Sequence, residues 1–229
     1  MSRHHWSAVR RAAVGFLCFA SPAAADTILS TTGGGAAISP FGKPDAQTFG
    51  QTFTSPTDNI LQSFTFYLSP APSLLFRAYV YAWDPGLVRA TGPALFTSSP
   101  IIGPLGTGFF AVPINVGGLL LSPGAPYVAF FSSSAQGTLG EIALQSSWDS
   151  PAANQYSGGA FVYMNNGENI GAFTTQTWST NRQGVGSDVR FTMAFTATPE
   201  PSTLLLVGTS MLLLGGLALA RRDRRALLE

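Results

Sequence analysis

Phe76-Arg77-Ala78-Tyr79-Val80-Tyr81-Ala82-Trp83 alternates strictly. Phe76, Ala78, Val80 and Ala82 fall on one side of an extended chain, and Arg77, Tyr79, Tyr81 and Trp83 on the other. A period of two in such residues is the pattern of a strand with one face on a core and the other toward solvent or a second layer. The period recurs on both sides of this stretch. Phe64, Phe66 and Leu68 alternate with Thr65 and Tyr67, and Val189, Phe191, Met193, Phe195 and Ala197 alternate with Arg190, Thr192, Ala194 and Thr196. Segments 47–54, 108–115, 126–132, 140–146 and 160–164 are further expected strands. Turn-forming clusters separate them, as at Asp84-Pro85-Gly86, Ser122-Pro123-Gly124 and Asn165-Asn166-Gly167. No helix-length segment of period 3.6 precedes residue 204. The expectation is an all-β fold over residues 26–197, an antiparallel β-sandwich of jelly-roll-like type.

Within that span, residues 26–44 with Gly33-Gly34-Gly35 read as a loose leading segment or an edge strand. The glycine triplet precedes no helix pattern, so it reads as a flexible linker rather than a phosphate-cradling loop. Segments 151–159 and 166–186 read as longer loops, where sandwiches usually carry binding groups.

The two ends have a different character. Residues 1–25 have the form of a secretory signal peptide. Arg3, Arg10 and Arg11 supply the charged start, residues 12–20 a short apolar core, and Ala23-Ala24-Ala25 a small-residue cleavage pattern before Asp26. Cys18 follows Leu17 inside the apolar core, which is not a lipoprotein arrangement, and Arg10-Arg11 lack the surrounding motif of the folded-protein export route. General secretion is expected. At the other end, Pro199-Glu200-Pro201 precedes an apolar segment, residues 204–220, broken only by glycines, Thr209 and Ser210. Arg221, Arg222, Arg224 and Arg225 follow. As a helix that segment is at the short end of what spans a hydrocarbon layer of about 30 Å. The arginines would hold its far end in the cytoplasm, leaving everything before Thr198 outside.

Pro199-Glu200-Pro201-Ser202-Thr203, a leucine-rich span and a terminal arginine cluster together resemble the PEP-CTERM sorting signal, over about the last 28 residues. The resemblance implies recognition by an exosortase, a membrane-embedded cysteine transpeptidase of Gram-negative bacteria that make exopolysaccharide. It implies that Pro199, Glu200 and Pro201 are a substrate signal rather than an active site. It also implies that the tail is removed or exchanged as the protein passes from the inner membrane to the cell surface or extracellular matrix. Asp223 within the arginine cluster and the Ala-Leu-Leu-Glu extension depart mildly from the pattern. The expected partners are the secretion machinery, the exosortase, the membrane and extracellular polysaccharide.

Without its two ends the chain has a narrower chemistry. Both histidines, His4 and His5, and the single cysteine belong to residues 1–25. A Ser-His-Asp or Cys-His nucleophile cannot be assembled from residues 26–197, nor can a zinc site of thiolate or imidazole ligands. Five basic residues (Lys43, Arg77, Arg89, Arg182, Arg190) face eight acidic ones, so this part carries a formal charge of −3. Nucleic acid, which demands clustered Lys and Arg, is not an expected partner. Hydrolysis by a carboxylate pair would draw on Asp84, Glu141, Asp149, Glu168 and Asp188. Asn165, Asn166, Glu168 and Asn169 offer oxygen ligands for calcium, although an Asn-Asn-Gly hairpin turn explains the same run without a metal. Trp83, Trp148 and Trp178, with Tyr156 and Tyr163, are candidates for an aromatic platform that binds sugar. Trp148 and Trp178, set among polar neighbours in expected loops, are the stronger pair. No catalytic residues are expected. A structural or adhesive protein of the matrix is the first functional expectation, and a carbohydrate-binding module the alternative.

Overall fold

Alternating apolar side chains commit a segment to extended backbone, because only a pleated strand puts every second residue on one surface. The computed structural model describes residues 26–34, 36–140, 144–180 and 188–197. Its elements are β1 (Thr27–Ser30), β2 (Ala36–Gly42), β3 (Thr48–Thr54), β4 (Ile60–Leu68), β5 (Leu75–Asp84), β6 (Arg89–Thr97), β7 (Ile101–Ile102), β8 (Phe110–Leu120), β9 (Pro126–Ser132), β10 (Gln145–Ser150), β11 (Phe161–Met164), α1 (Ala172–Thr175) and β12 (Phe191–Thr196). All lie within one compact unit, Ala24–Pro199. The signal peptide with Ala23 and Ala25, the Pro199-Glu200-Pro201 motif, the 204–220 span and the arginines 221, 222, 224 and 225 fall outside the described residues. Among the described residues no helix is long and apolar enough to cross a membrane.

The fold is all-β, in two sheets whose named strand pairs are antiparallel. In the first sheet the order is β1-β12-β4-β10-β2, with β8 also paired to β4; in the second it is β11-β3-β9-β5-β6, with β7 also paired to β5. The inward residues expected from the alternation meet between the sheets. Phe64, Phe66 and Leu68 of β4 and Phe191, Met193 and Phe195 of β12 share one core with Phe76, Ala78 and Val80 of β5 and with Phe49, Phe53 and Phe131. Aromatic pairs of this kind contribute about 0.5–1.5 kcal/mol each beyond their buried area.

Several strands depart from expectation for identifiable reasons. β6 holds Gly92-Pro93, a pair that reads as a turn, yet it is a strand at the end of the sheet path. A register shift against β5 and a left-handed Gly92 (φ 68°) absorb the irregularity, and an edge position tolerates the absence of proline's N–H donor. β2 carries Pro40 in the same way at the far end of the first sheet. The leading segment is thus two edge strands, β1 on β12 and β2 on β10. The strand expected at 140–146 is displaced to β10, Gln145–Ser150.

The outward face of the second sheet has its own cover. Tyr79 and Trp83 of β5, Val128 and Phe130 of β9, and Val162 and Met164 of β11 form a second buried cluster with Ala172, Phe173 and Trp178. The last three belong to the chain that follows β11, so this expected loop folds back as a lid over aromatic side chains. Backbone bonds between Tyr163 and Ser179 (2.9 and 2.8 Å) and from Trp178 N to Val88 O (2.8 Å) hold it down.

Candidate functional site

The three tryptophans do not form a platform. Trp148 stands in β10 rather than a loop and is fully buried. Its ring lies 4.6 Å from Phe66, 5.3 Å from Phe131, 5.4 Å from Phe41 and 5.7 Å from Phe49, measured between centroids. Trp178 does lie outside the named strands, but it is buried on the inner side of the lid and donates its indole N–H to Phe173 O at 2.9 Å. Trp83 packs edge-on against it at 5.5 Å. The expectation of exposed tryptophans is therefore corrected. Polar neighbours in sequence say nothing about what packs on an indole across a sheet. Tyr156 and Tyr163 also line the main core rather than an open face.

The oxygen cluster around Gly167 is committed to the fold. Asn166 Oδ1 accepts from Thr48 Oγ1 at 2.8 Å, and Asn166 Nδ2 donates to Asn169 O at 2.9 Å. Glu168 pairs with Lys43 at 2.7 Å and accepts from Ala135 N at 2.7 Å. The hydrogen bond from Lys43, reinforced by the Ala135 N–H against some loss of solvent, lowers the Glu168 pKa below the ordinary glutamate range. A turn does form, with Asn169 N donating to Asn166 O. It leads into the lid and α1, however, and not into the returning strand of a tight hairpin. Among the described residues no group of three or more His, Cys, Asp or Glu gathers into a candidate metal site.

The described acids are held by separate sets of donors. Asp84 Oδ1 accepts from the Gly86 and Leu87 N–H groups, which is turn chemistry. Asp188, fully buried, accepts from Gln51 Nε2 (2.8 Å), Gln155 N (2.9 Å) and Tyr156 N (2.9 Å), and so ties the loop before β11 to the sheets. Glu141 lies outside the described residues.

Asp149 is different, because it is both buried and beside solvent. It follows Trp148 in β10, so its side chain points to the outward face of the first sheet, and Ala37 of β2 stands directly across from it. Oδ1 accepts from Gly34 N at 3.0 Å, and Oδ2 from Arg190 Nη1 at 3.2 Å. Arg190, outward in the alternation that precedes β12, lays its guanidinium 3.8 Å above the Tyr67 ring of β4. Gly33 packs closely here: a Cβ on it would stand 2.0 Å from Asp149 Oδ2 and 2.5 Å from Arg190 Cδ, so a larger residue would displace the pair. The glycine run expected as a flexible linker is, at Gly33 and Gly34, the backbone wrap around a carboxylate. Beside Asp149 lies an open depression lined by Gly34, Ala36, Ala37 and Phe109, with Arg190 not among its lining residues.

Asp149 was legible in the sequence as an acid, but not as the partner of Arg190. The available signal was that Tyr67 and Arg190 both fall on the outward side of their own alternations. Comparison with known proteins finds no matching family model, no similar curated protein and no similar solved structure. What the site does must follow from its own chemistry.

Proposed function

We propose that this protein is an exported, structural or adhesive component of a bacterial cell envelope or exopolysaccharide matrix, delivered by an exosortase-type sorting system. The observation that carries the reading is how closely the folded unit fits between two signals. β1 opens at Thr27, one residue past Asp26, where signal cleavage is expected, and β12 closes at Thr196, just before Pro199-Glu200-Pro201. β1 and β12 are paired, with Thr27 opposite Phe195. The described domain therefore begins and ends at one end of one strand pair, and the stretches read as processing signals adjoin it within a few residues in sequence. The strand order also supports the jelly-roll-like reading. β2, β10, β4 and β8 neighbour one another in one sheet and β3, β9, β5 and β6 in the other, the interleaving of two Greek keys.

The test is the intact mass and location of the protein in its host, for wild type and for a variant with Pro199, Glu200 and Pro201 all changed to alanine. Wild type is expected to lose both ends and reach the surface, with the variant retaining its tail in the inner membrane. Retention of the tail by both would make residues 204–220 an anchor and the protein a tethered periplasmic domain.

A further inference from the structure

We infer that one end of the sandwich docks on an electrically neutral lipid surface, inserting Ile102, Leu105 and Leu139 among its acyl chains. Three loops make up this end: 69–74 after β4, 103–109 after β7 and 133–140 after β9. They leave the sandwich together, because Leu68 pairs with Phe110, Leu75 with Ile102, and Arg77 with Ser132. β1 begins and β12 ends at the opposite end, where Thr27 faces Phe195 and Thr196 faces Ile60. Leu105 and Leu139 stand on the loops, 71% and 56% exposed, and Ile102 closes β7 beside them, 57% exposed. Single exposed apolar residues are ordinary, but a group of them on joined loops marks an interaction surface. Segment 69–74 does the joining. Ala71 N donates to Pro104 O (2.9 Å), Gly103 N to Leu74 O (2.8 Å) and Leu139 N to Ser73 O (3.2 Å).

Backbone and charge both select lipid. A loop enters an apolar layer at low cost only where its polar groups are already bonded. The three bonds above satisfy groups at the tips, and Pro70, Pro72 and Pro104 have no N–H to satisfy. Residues 90–140 contain no Asp, Glu, Lys, Arg or His, while residues 26–197 as a whole carry −3. The cations nearest the loops are engaged by the protein itself: Lys43 pairs with Glu168 at 2.7 Å, and Arg77 donates to Ser98 O at 2.7 Å. Anionic headgroups would meet a net-negative domain with no basic patch, so neutral lipid is the surface that fits. The tips Gly103-Pro104-Leu105-Gly106 and Thr138-Leu139-Gly140 belong to separate loops. A fluid layer closes around each of them, whereas a protein partner needs one continuous, shaped patch. The inference does not depend on how the protein is sorted.

The test uses the full chain with its apolar ends wrapped in amphipol, so that residues 204–220 do not themselves enter lipid. In a Cys18→Ser background, a polarity-sensitive fluorophore is attached at Leu105→Cys or Leu139→Cys. The control is Leu87→Cys, an exposed position in the turn between β5 and β6, at the other end of the sandwich. Phosphatidylcholine vesicles are expected to shift the Leu105 and Leu139 labels to the blue, and spin-labelled acyl chains to quench them, with the Leu87 label unchanged. Unlabelled wild type should partition into these vesicles equally at low and high salt. Leu105→Asp combined with Leu139→Asp should partition at least about tenfold less. If that variant loses its circular dichroism, the labels alone decide. The inference is overturned if the two loop labels stay in water, if the Leu87 label moves with them, or if the folded double variant partitions like wild type. Binding that needs phosphatidylglycerol and is abolished by salt also overturns it. So does a blue shift that grows with protein concentration in the absence of vesicles, which would assign the loops to a second copy of the chain. Because the labels read purified protein, a chain that is sorted as proposed yet inserts no loop fails here alone. A chain that inserts its loops but keeps its tail in the host fails only the sorting reading.

Discussion

The two aromatic clusters on either side of the second sheet are made of the same residue types and differ in what covers them. On the inner side, Trp148 touches rings from both sheets: Phe41 and Phe66 from the first, Phe49 and Phe131 from the second. On the outer side, Tyr79 and Phe130 are covered by one segment, chiefly through Phe173 and Trp178. A sheet of paired strands covers the first, and a single turn of helix with a few backbone bonds covers the second. Both clusters are buried, the inner one slightly more completely, but the free energies of exposing them differ more than that. Opening the inner one dismantles the fold, whereas opening the outer one detaches a lid.

The largest expected effect tests the inner cluster. Trp148→Ala should cost about 3–5 kcal/mol, the range for truncating a buried aromatic residue. The loss should appear in urea denaturation as a lower midpoint of one cooperative transition. A change below about 1 kcal/mol would mean that the sheets are joined elsewhere. Phe173→Ala should cost less, about 1–3 kcal/mol, because the lid can open without the sandwich. Limited proteolysis should then cut within residues 165–180 while the urea midpoint moves less than for Trp148→Ala. Equal midpoint shifts for the two variants would merge the clusters into one cooperative unit.

Alkaline pH should distinguish the clusters without mutation. Burial raises the pKa of Tyr79 against the opposing charge of Arg77, with Tyr81 adding to the rise, and burial raises Tyr81 as well. Both rings belong to the outer cluster or pack against it. A raised folded pKa means that this stabilisation is complete below the ordinary tyrosine value of about 10 and is lost as pH rises through the higher folded value. The lid should therefore become protease-sensitive above that pH before strand signals in circular dichroism are lost. Phenolate absorbance near neutral pH would contradict the burial argument.

Acid should produce the smallest effect, also on the lid side. The lowered Glu168 pKa means that its pairing with Lys43 stabilises fully above the ordinary glutamate value and is lost as pH falls through the lower folded one. The carboxylate is 61% exposed, so solvent screening limits the contribution to about 0.5 kcal/mol or less. Glu168→Gln should remove the acid dependence of cleavage near residues 165–169 and leave the urea midpoint almost unchanged.

Strand positions were largely legible because alternation is local: 126–132 is β9 to the residue, and 47–54 and 160–164 each differ from β3 and β11 by one. β6 was not legible, since Gly92-Pro93 reads as a turn unless the neighbouring strand is known. Of the candidate site, the acids and aromatic residues could be named individually, but their company could not. Trp148 was expected at the surface and joins the sheets; Asp149, its neighbour, turns outward and pairs with the Arg190 guanidinium.

By itself the sequence determined that the domain is all-β, which side of β4, β5 and β12 turns inward, and that no histidine or cysteine is available to its chemistry. The tertiary structure alone decided what lies against each outward side. Phe173 and Trp178 close over Tyr79 and Phe130, and Arg190 reaches Asp149 across 41 residues of chain. The reason is physical. A period of two follows from the geometry of one strand, whereas the partner of an outward side chain is set by register and loop path, which join residues far apart along the chain.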